Sequence, residues 1–280
     1  MTKNVVLLIG GDLCRHVAAQ LDPAHWEIWG LRRNPPADAS MRWIQADLAD
    51  PASLRDLPQA ISHVAYAPSP DAREPTSYQT TYPLGVTHLL DALVPTNRIK
   101  RFVLVGSTVV WPPTDAADAM TWVDESTPAH ADNFRSRAIL QAEATLHERL
   151  PGCGVALRLG GIYGAGRTRL IERLRSGQLM SPDGPGHWSN RIHIEDAASA
   201  CIHLLGLSDP ADCYIGTDGH PTDTREFHRD LADLLEVPHP ASRCLPPTGK
   251  RLSNARLVGS GWTPRWPDAL AGYRAMLAAG

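Results

Sequence analysis

The run Val5-Val6-Leu7-Leu8-Ile9, followed at once by Gly10-Gly11, constrains this chain more than any other feature. Five consecutive apolar residues fit a strand buried on both faces. The paired glycines mark a tight turn, and apolar residues at helical spacing follow from Leu13 to Leu21. Strand, glycine turn and helix open a parallel βαβ unit. The alternation recurs. Strands are predicted at Trp26–Leu31, Met41–Gln45, His63–Ala67, Arg101–Val105 and Val155–Leu159. Helices are predicted at 51–58 (short), Tyr78–Leu93 and 135–149. Strands that alternate with helices imply an α/β fold built on a doubly wound parallel sheet.

Beyond about residue 160 the regularity loosens. Helical patterns at 195–206 and 224–235 lie between Pro- and Gly-rich stretches at 181–186, 238–247 and 259–267. The expected organisation is a Rossmann-like core over 1–165 and a small C-terminal substrate lobe over 166–280, interleaved with the last core strands. The chain has 280 residues, long enough to bury an ordinary core without disulfides or metal. No stretch of about 18 apolar residues exists, so no membrane association is expected. The start, MTKNVVLLIGGDL, lacks the pattern of a signal peptide. The net charge is −3 and no basic stripe is visible, which argues against nucleic acid as a partner. Five scattered cysteines with no CxxC suit reduced thiols and a cytoplasmic location.

In a doubly wound sheet, ligands bind at the carboxyl ends of the strands, and the first strand–helix turn cradles a pyrophosphate on a helix N-terminus. That turn here reads Gly10-Gly11-Asp12-Leu13, with Cys14 where a third glycine would let helix pack on strand. It is not GxGxxG, so the fragment alone equally fits a simple tight turn. The second strand ends in Leu31-Arg32-Arg33 rather than in the acidic residue that would hold the ribose of NAD. Arginine suits a 2′-phosphate, so NADP is favoured over NAD as the cofactor if either binds. A solvated basic corner is the other reading of these two arginines. Asp47 and Leu48, after the third strand, are placed to border an adenine pocket.

Several further segments share a known pattern. They are Val105-Gly106-Ser107-Thr108-Val109-Val110-Trp111, Arg158 to Arg167 with Tyr163-Gly164-Ala165-Gly166 inside it, Arg191-Ile192-His193-Ile194-Glu195-Asp196, and Lys250 to Pro264. With the glycine turn and Ala46-Asp47-Leu48, these resemble the extended short-chain dehydrogenase/reductase family, also called the NAD-dependent epimerase/dehydratase family. The resemblance runs over nearly the whole chain. It implies an NAD(P)-dependent oxidoreductase or epimerase-like enzyme acting on a small carbonyl or alcohol, with Ser107 orienting the reacting oxygen and Thr108 beside it.

The chemistry departs from that pattern. Family members use a Tyr and a Lys spaced YxxxK, in which the tyrosine moves the proton. Alignment on Glu143 puts Arg135 in the tyrosine slot and Ile139 in the lysine slot. Tyr163 and His193 are then the foremost substitutes, with Tyr78, Tyr82 and the Asp124-Glu125 loop behind them; packing roles are the other reading of each. Two further functions stay open: a non-redox isomerase, lyase or cyclase on a repurposed fold, and a dinucleotide-sensing module without catalysis.

No GxSxG elbow, P-loop or HExxH occurs, so no hydrolase triad, nucleotide P-loop or metal site is expected. Arg158, Arg167, Arg169 and Arg191 suit a small, anionic substrate, or else ion pairs with Glu172, Glu195 and Asp196. The resemblance also implies a homodimer through the helices at 78–93 and 135–149, although Leu84, Leu89, Leu90, Ile139, Leu140 and Leu146 serve equally as core.

Overall fold

The computed structural model describes residues 3–37, 41–112, 121–184, 187–245 and 249–278. In chain order the first elements are β1 (Asn4–Gly10), α1 (Asp12–Gln20), β2 (Trp26–Arg32), β3 (Arg42–Gln45), β4 (His63–Ala67), α2 (Pro75–Gln79), α3 (Gly85–Leu93) and β5 (Arg101–Ser107). They are followed by β6 (Trp122–Val123), α4 (Phe134–Arg149), β7 (Gly154–Leu159), β8 (Gly161–Tyr163), α5 (Arg169–Arg175), β9 (Met180–Asp183), β10 (Trp188–Ser189) and β11 (Arg191–His193). The last are α6 (Ile194–Gly206), β12 (Cys213–Gly216), β13 (Thr222–Asp223), α7 (Thr224–Leu234), β14 (Ala241–Cys244), β15 (Arg251–Leu252), α8 (Ala255–Gly259) and α9 (Ala269–Ala278).

Seven strands form one sheet in the order β12-β7-β5-β4-β1-β2-β3. β1 pairs in parallel with β2 on one side, Val6 facing Ile28, and with β4 on the other, Leu7 facing Val64. The order reverses between β1 and β4, which is the switch point of a doubly wound sheet. Val6, Leu7 and Leu8 are fully buried, as their unbroken apolar run requires.

Two predicted helices come out differently. The stretch expected to be one helix from Tyr78 to Leu93 is α2, a wide π turn over Thr80–Leu84, and α3. Pro83 sits inside that turn. Proline has no N–H to donate and its ring clashes with the carbonyl four residues back, so the helix widens there. The Tyr66 hydroxyl, from β4, donates to the Thr81 carbonyl in the same turn. The helix expected at 51–58 is a single 3-10 turn, Pro51–Leu54, capped by the Asp50 carboxylate, which accepts from the Ala52 amide at 2.9 Å.

The chain divides into two compact units. Unit 1 is Met1–Trp111, Ala129–Arg158 and Ala198–Tyr214; unit 2 is Pro112–Pro128, Leu159–Ala197 and Ile215–Gly280. Residues 159–165 belong to unit 2, and 198–214 return to unit 1, where the chain runs back to the edge of the sheet. Unit 2 has its own core, around Tyr163, Leu174, Phe227, Leu231 and Tyr273. No helix among the described residues is long and apolar enough to cross a membrane.

Candidate functional site

An open cavity of about 470 Å³ lies in unit 1 at the carboxyl ends of β1 to β4. Gly10 and Gly11, Arg32 and Arg33, and Asp47 and Leu48 line three sides of it. The fourth side comes from the loop after β4, the helix α2 and the turn after it, including Ser69, Asp71 and Thr81.

The glycine turn is shaped by close packing. Gly10 has φ +138°, and a Cβ there would lie 2.3 Å from the Ala67 carbonyl oxygen at the end of β4. Only glycine fits both the backbone angle and the approach. Gly11, which lines the cavity, is the N-cap of α1 and makes no side-chain hydrogen bond to the helix amides. Asp12 and Leu13, expected to take part in this turn, do not line the cavity. The Asp12 carboxylate lies 3.8 Å from Arg15 and 3.9 Å from His16, along the helix. Leu13 is buried in the core. Cys14 is buried beside it, and burial pushes its thiol up to about 12, so it is a protonated packing group.

The two arginines behave differently. A Cβ on Gly11 would lie 3.7 Å from Nη2 of Arg32, which places that guanidinium over the glycine turn. Arg32 forms no ion pair among the described residues. Arg33 donates from Nη2 to Oδ1 of Asp71 at 2.5 Å. That bond holds the Asp71 carboxyl below its usual range and pushes the guanidinium up. The Asp47 carboxylate accepts from the Ala49 amide at 2.9 Å and so shapes its own turn, while its amide donates to Ser53. The Leu48 carbonyl meets Nδ1 of His88 at 2.7 Å. Asp71 was not singled out from the sequence. Its signal is position: it lies a few residues past the end of β4, the strand that flanks the switch point.

Ser107 ends β5, and its Oγ accepts from the Val109 amide at 3.3 Å, capping a 3-10 turn that begins with Thr108. Neither residue lines the cavity. Tyr163 and His193, expected as substitute proton donors, are instead packed inside unit 2. Tyr163 is 1% exposed, stacks on Tyr273 at 4.7 Å and meets the His193 ring edge-on at 5.1 Å. A Cβ on Gly272 would lie 2.1 Å from its hydroxyl. Burial pushes that hydroxyl above its ordinary range, and it has no hydrogen-bond partner among the described residues. His193 is buried, packs 5.1 Å from the Trp266 ring and accepts from the Glu195 amide at 3.3 Å.

The reserve candidates are also engaged. Tyr82 is buried and stacks on Tyr78 at 5.8 Å. Asp124 accepts from the Ser126 amide at 2.8 Å to hold its turn, and Glu125 accepts from the Ile215 amide at 2.7 Å. Of the arginines expected around a cleft, Arg158 is buried against Glu143 and lies 4.6 Å from the Trp111 ring centroid. Arg191 lies 4.2 Å from the centroid of Phe227. In the slots where a Tyr and a Lys would stand, Arg135 is partly buried and Ile139 is core. Among the described residues no group of three or more His, Cys, Asp or Glu could hold a metal.

The NAD dependent epimerase/dehydratase family profile matches residues 7–215. The chain belongs to that family. A Methylobacillus flagellatus protein assigned to the NAD-dependent epimerases/dehydratases is 31% identical, over 100% of this chain and 99% of that one, with a TM-score of 0.80. RMD of Pseudomonas aeruginosa, solved with NADPH, shares the fold at 23% identity, over 99% of this chain and 97% of that one, with a TM-score of 0.76. The 3-diazoavenalumate denitrifying reductase of a Streptomyces species is 25% identical over 170 residues. That match covers 58% of this chain and 54% of that reductase, about half its length. For an epimerase/dehydratase family member, the place of the cavity at the carboxyl ends of β1 to β4 is the expected one.

Proposed function

We propose that this chain is an NADP-dependent oxidoreductase acting on a small, anionic carbonyl or alcohol substrate. The observation that carries the reading is Arg32, which lines the cavity beside the Gly10-Gly11 turn without an ion-pair partner among the described residues. A guanidinium in that position matches a phosphate in charge and in hydrogen-bond geometry. The amides of Gly11, Asp12 and Leu13, at the start of α1, suit the pyrophosphate. Arg32 and Arg33 suit the 2′-phosphate, and Asp47 and Leu48 the adenosine. When bound, the dinucleotide supplies or accepts a hydride. Ser107 supports the reaction by donating its O–H to the substrate oxygen and holding it in place, with Thr108 beside it.

The filled slots at Arg135 and Ile139 favour a second reading. Without the tyrosine that moves the proton, the fold serves a non-redox isomerase, lyase or cyclase, or a dinucleotide sensor. Titration of the purified protein with NADPH and NADH separates these readings. Tight NADPH binding with turnover over a carbonyl panel supports the oxidoreductase. Binding without turnover supports the sensor. No binding of either at millimolar concentration removes both. The reading extends to a homodimer in the cytoplasm. Leu89, Leu90, Ile139 and Leu146 are buried within the single chain, but Leu84 is 42% exposed and available to a second copy. A monomeric mass by light scattering would remove the dimer.

A further inference from the structure

The cavity holds an acidic residue directly against one of its two arginines. Arg33 follows the end of β2, Asp71 lies in the loop after β4, and the two are 38 residues apart in sequence. Both line the cavity, and their 2.5 Å contact joins two of its walls. Arg32, one residue earlier, carries its guanidinium over the glycine turn instead. A phosphate entering this corner therefore meets one uncommitted cation, one cation already neutralised, and one carboxylate of its own sign. Glu74 lines the same wall and adds to the negative side.

We propose that Asp71 is a specificity-determining residue of this site: by holding Arg33 it withholds one of the two cations from a 2′-phosphate and narrows the preference for a 2′-phosphorylated dinucleotide. The inference rests on unit 1 binding a nicotinamide dinucleotide. For a ligand with free ribose hydroxyls, the pair stays intact and Asp71 costs nothing. For a 2′-phosphorylated ligand, Arg33 must leave Asp71 before it can help, and the carboxylate repels the phosphate at short range. The pair is half exposed, so its hold is modest and screened by salt.

The test is a set of binding titrations with NADPH, NADH, 2′,5′-ADP and 5′-AMP on the wild-type chain and on Asp71→Asn, Arg33→Ala and the double variant. Asp71→Asn keeps the side-chain shape and removes the charge at an exposed position, so folding is preserved; matching thermal melts check this. The expected result is that Asp71→Asn binds NADPH and 2′,5′-ADP about fivefold tighter, while NADH and 5′-AMP change less than twofold. Arg33→Ala should weaken NADPH more in the Asp71→Asn background than in the wild type. Equal effects on both ligand classes, no effect, or the same Arg33→Ala loss in both backgrounds would overturn the inference and leave the dinucleotide reading standing. If the wild type binds none of the four ligands, that reading fails and the role of Asp71 fails with it.

Discussion

Arg158 meets Glu143 in a two-pronged ion pair inside unit 1, Nε to Oε1 at 3.0 Å and Nη2 to Oε2 at 2.6 Å. The pair ties β7 to α4, and the Trp111 ring covers the guanidinium. Both side chains are almost wholly enclosed, at 10% and 5% exposure. Breaking such a pair leaves one buried charge without its partner, which costs roughly 3–5 kcal/mol. Glu143→Gln and Arg158→Met should each lower stability by about that amount in urea unfolding. The double variant Glu143→Gln/Arg158→Met should lose less than the sum. Additive losses would mean the two groups act independently.

Gly10→Ala should be strongly destabilising. The added methyl meets the Ala67 carbonyl oxygen at 2.3 Å on a backbone at φ +138°. Strain of this kind costs about 1–3 kcal/mol before any shift of β1 against β4. A thermal melt should fall by several degrees, and NADPH affinity should fall with it because the turn itself must move.

Arg32→Ala should weaken NADPH selectively. A hydrogen-bonded charge pair to a phosphate is worth about 1.5–3 kcal/mol, or roughly 10- to 100-fold in affinity. NADH should change little. Arg32→Asp should narrow or reverse the preference. Equal losses for both dinucleotides would place Arg32 on a shared phosphate instead.

Tyr163→Phe separates a packing tyrosine from a proton donor. Its hydroxyl is buried without a partner among the described residues, so removing it relieves a desolvated group. Stability should hold or rise, and turnover should be unchanged. A hundredfold loss of turnover at unchanged stability would give Tyr163 a catalytic part.

Asp218 predicts a pH dependence. Its carboxyl is 5% exposed, burial pushes it up to about 7, and Arg191 opposes that only in part. A carboxyl that ionises more readily unfolded than folded binds its proton more tightly in the folded state. Stability therefore falls as pH rises from about 4 to 7 and stays lowered above that. The full penalty is on the order of 4 kcal/mol. Asp218→Asn should flatten this slope and raise the melting temperature at pH 8 more than at pH 5.

Six strands of the large sheet were legible as short segments rich in apolar residues, the clearest being Val5–Ile9 before Gly10 and His63–Ala67 before Pro68, whereas β12 was not. The cavity corner was legible for the same reason: Gly10, Gly11, Arg32, Arg33, Asp47 and Leu48 all follow strand ends, where a doubly wound sheet binds its ligands. Arg158 was not. Its partner Glu143 lies one helix back, and no local pattern says that α4 turns that carboxylate onto β7 rather than to water. Tyr163 also follows a strand end, but Gly272 and Tyr273, more than a hundred residues later, close over it. Asp71 became visible only when the loop after β4 was seen to reach Arg33.

The sequence by itself determined six of the seven strands of the large sheet, the glycine turn and the basic end of β2. These depend on the order of apolar runs and on backbone freedom, which are properties of neighbours in the chain. The tertiary structure decided which charged and aromatic side chains face the cavity and which are spent in packing. Burial and ion pairing depend on residues far apart in sequence, such as Arg33 with Asp71 and Tyr163 with Tyr273, and only the folded chain brings them together.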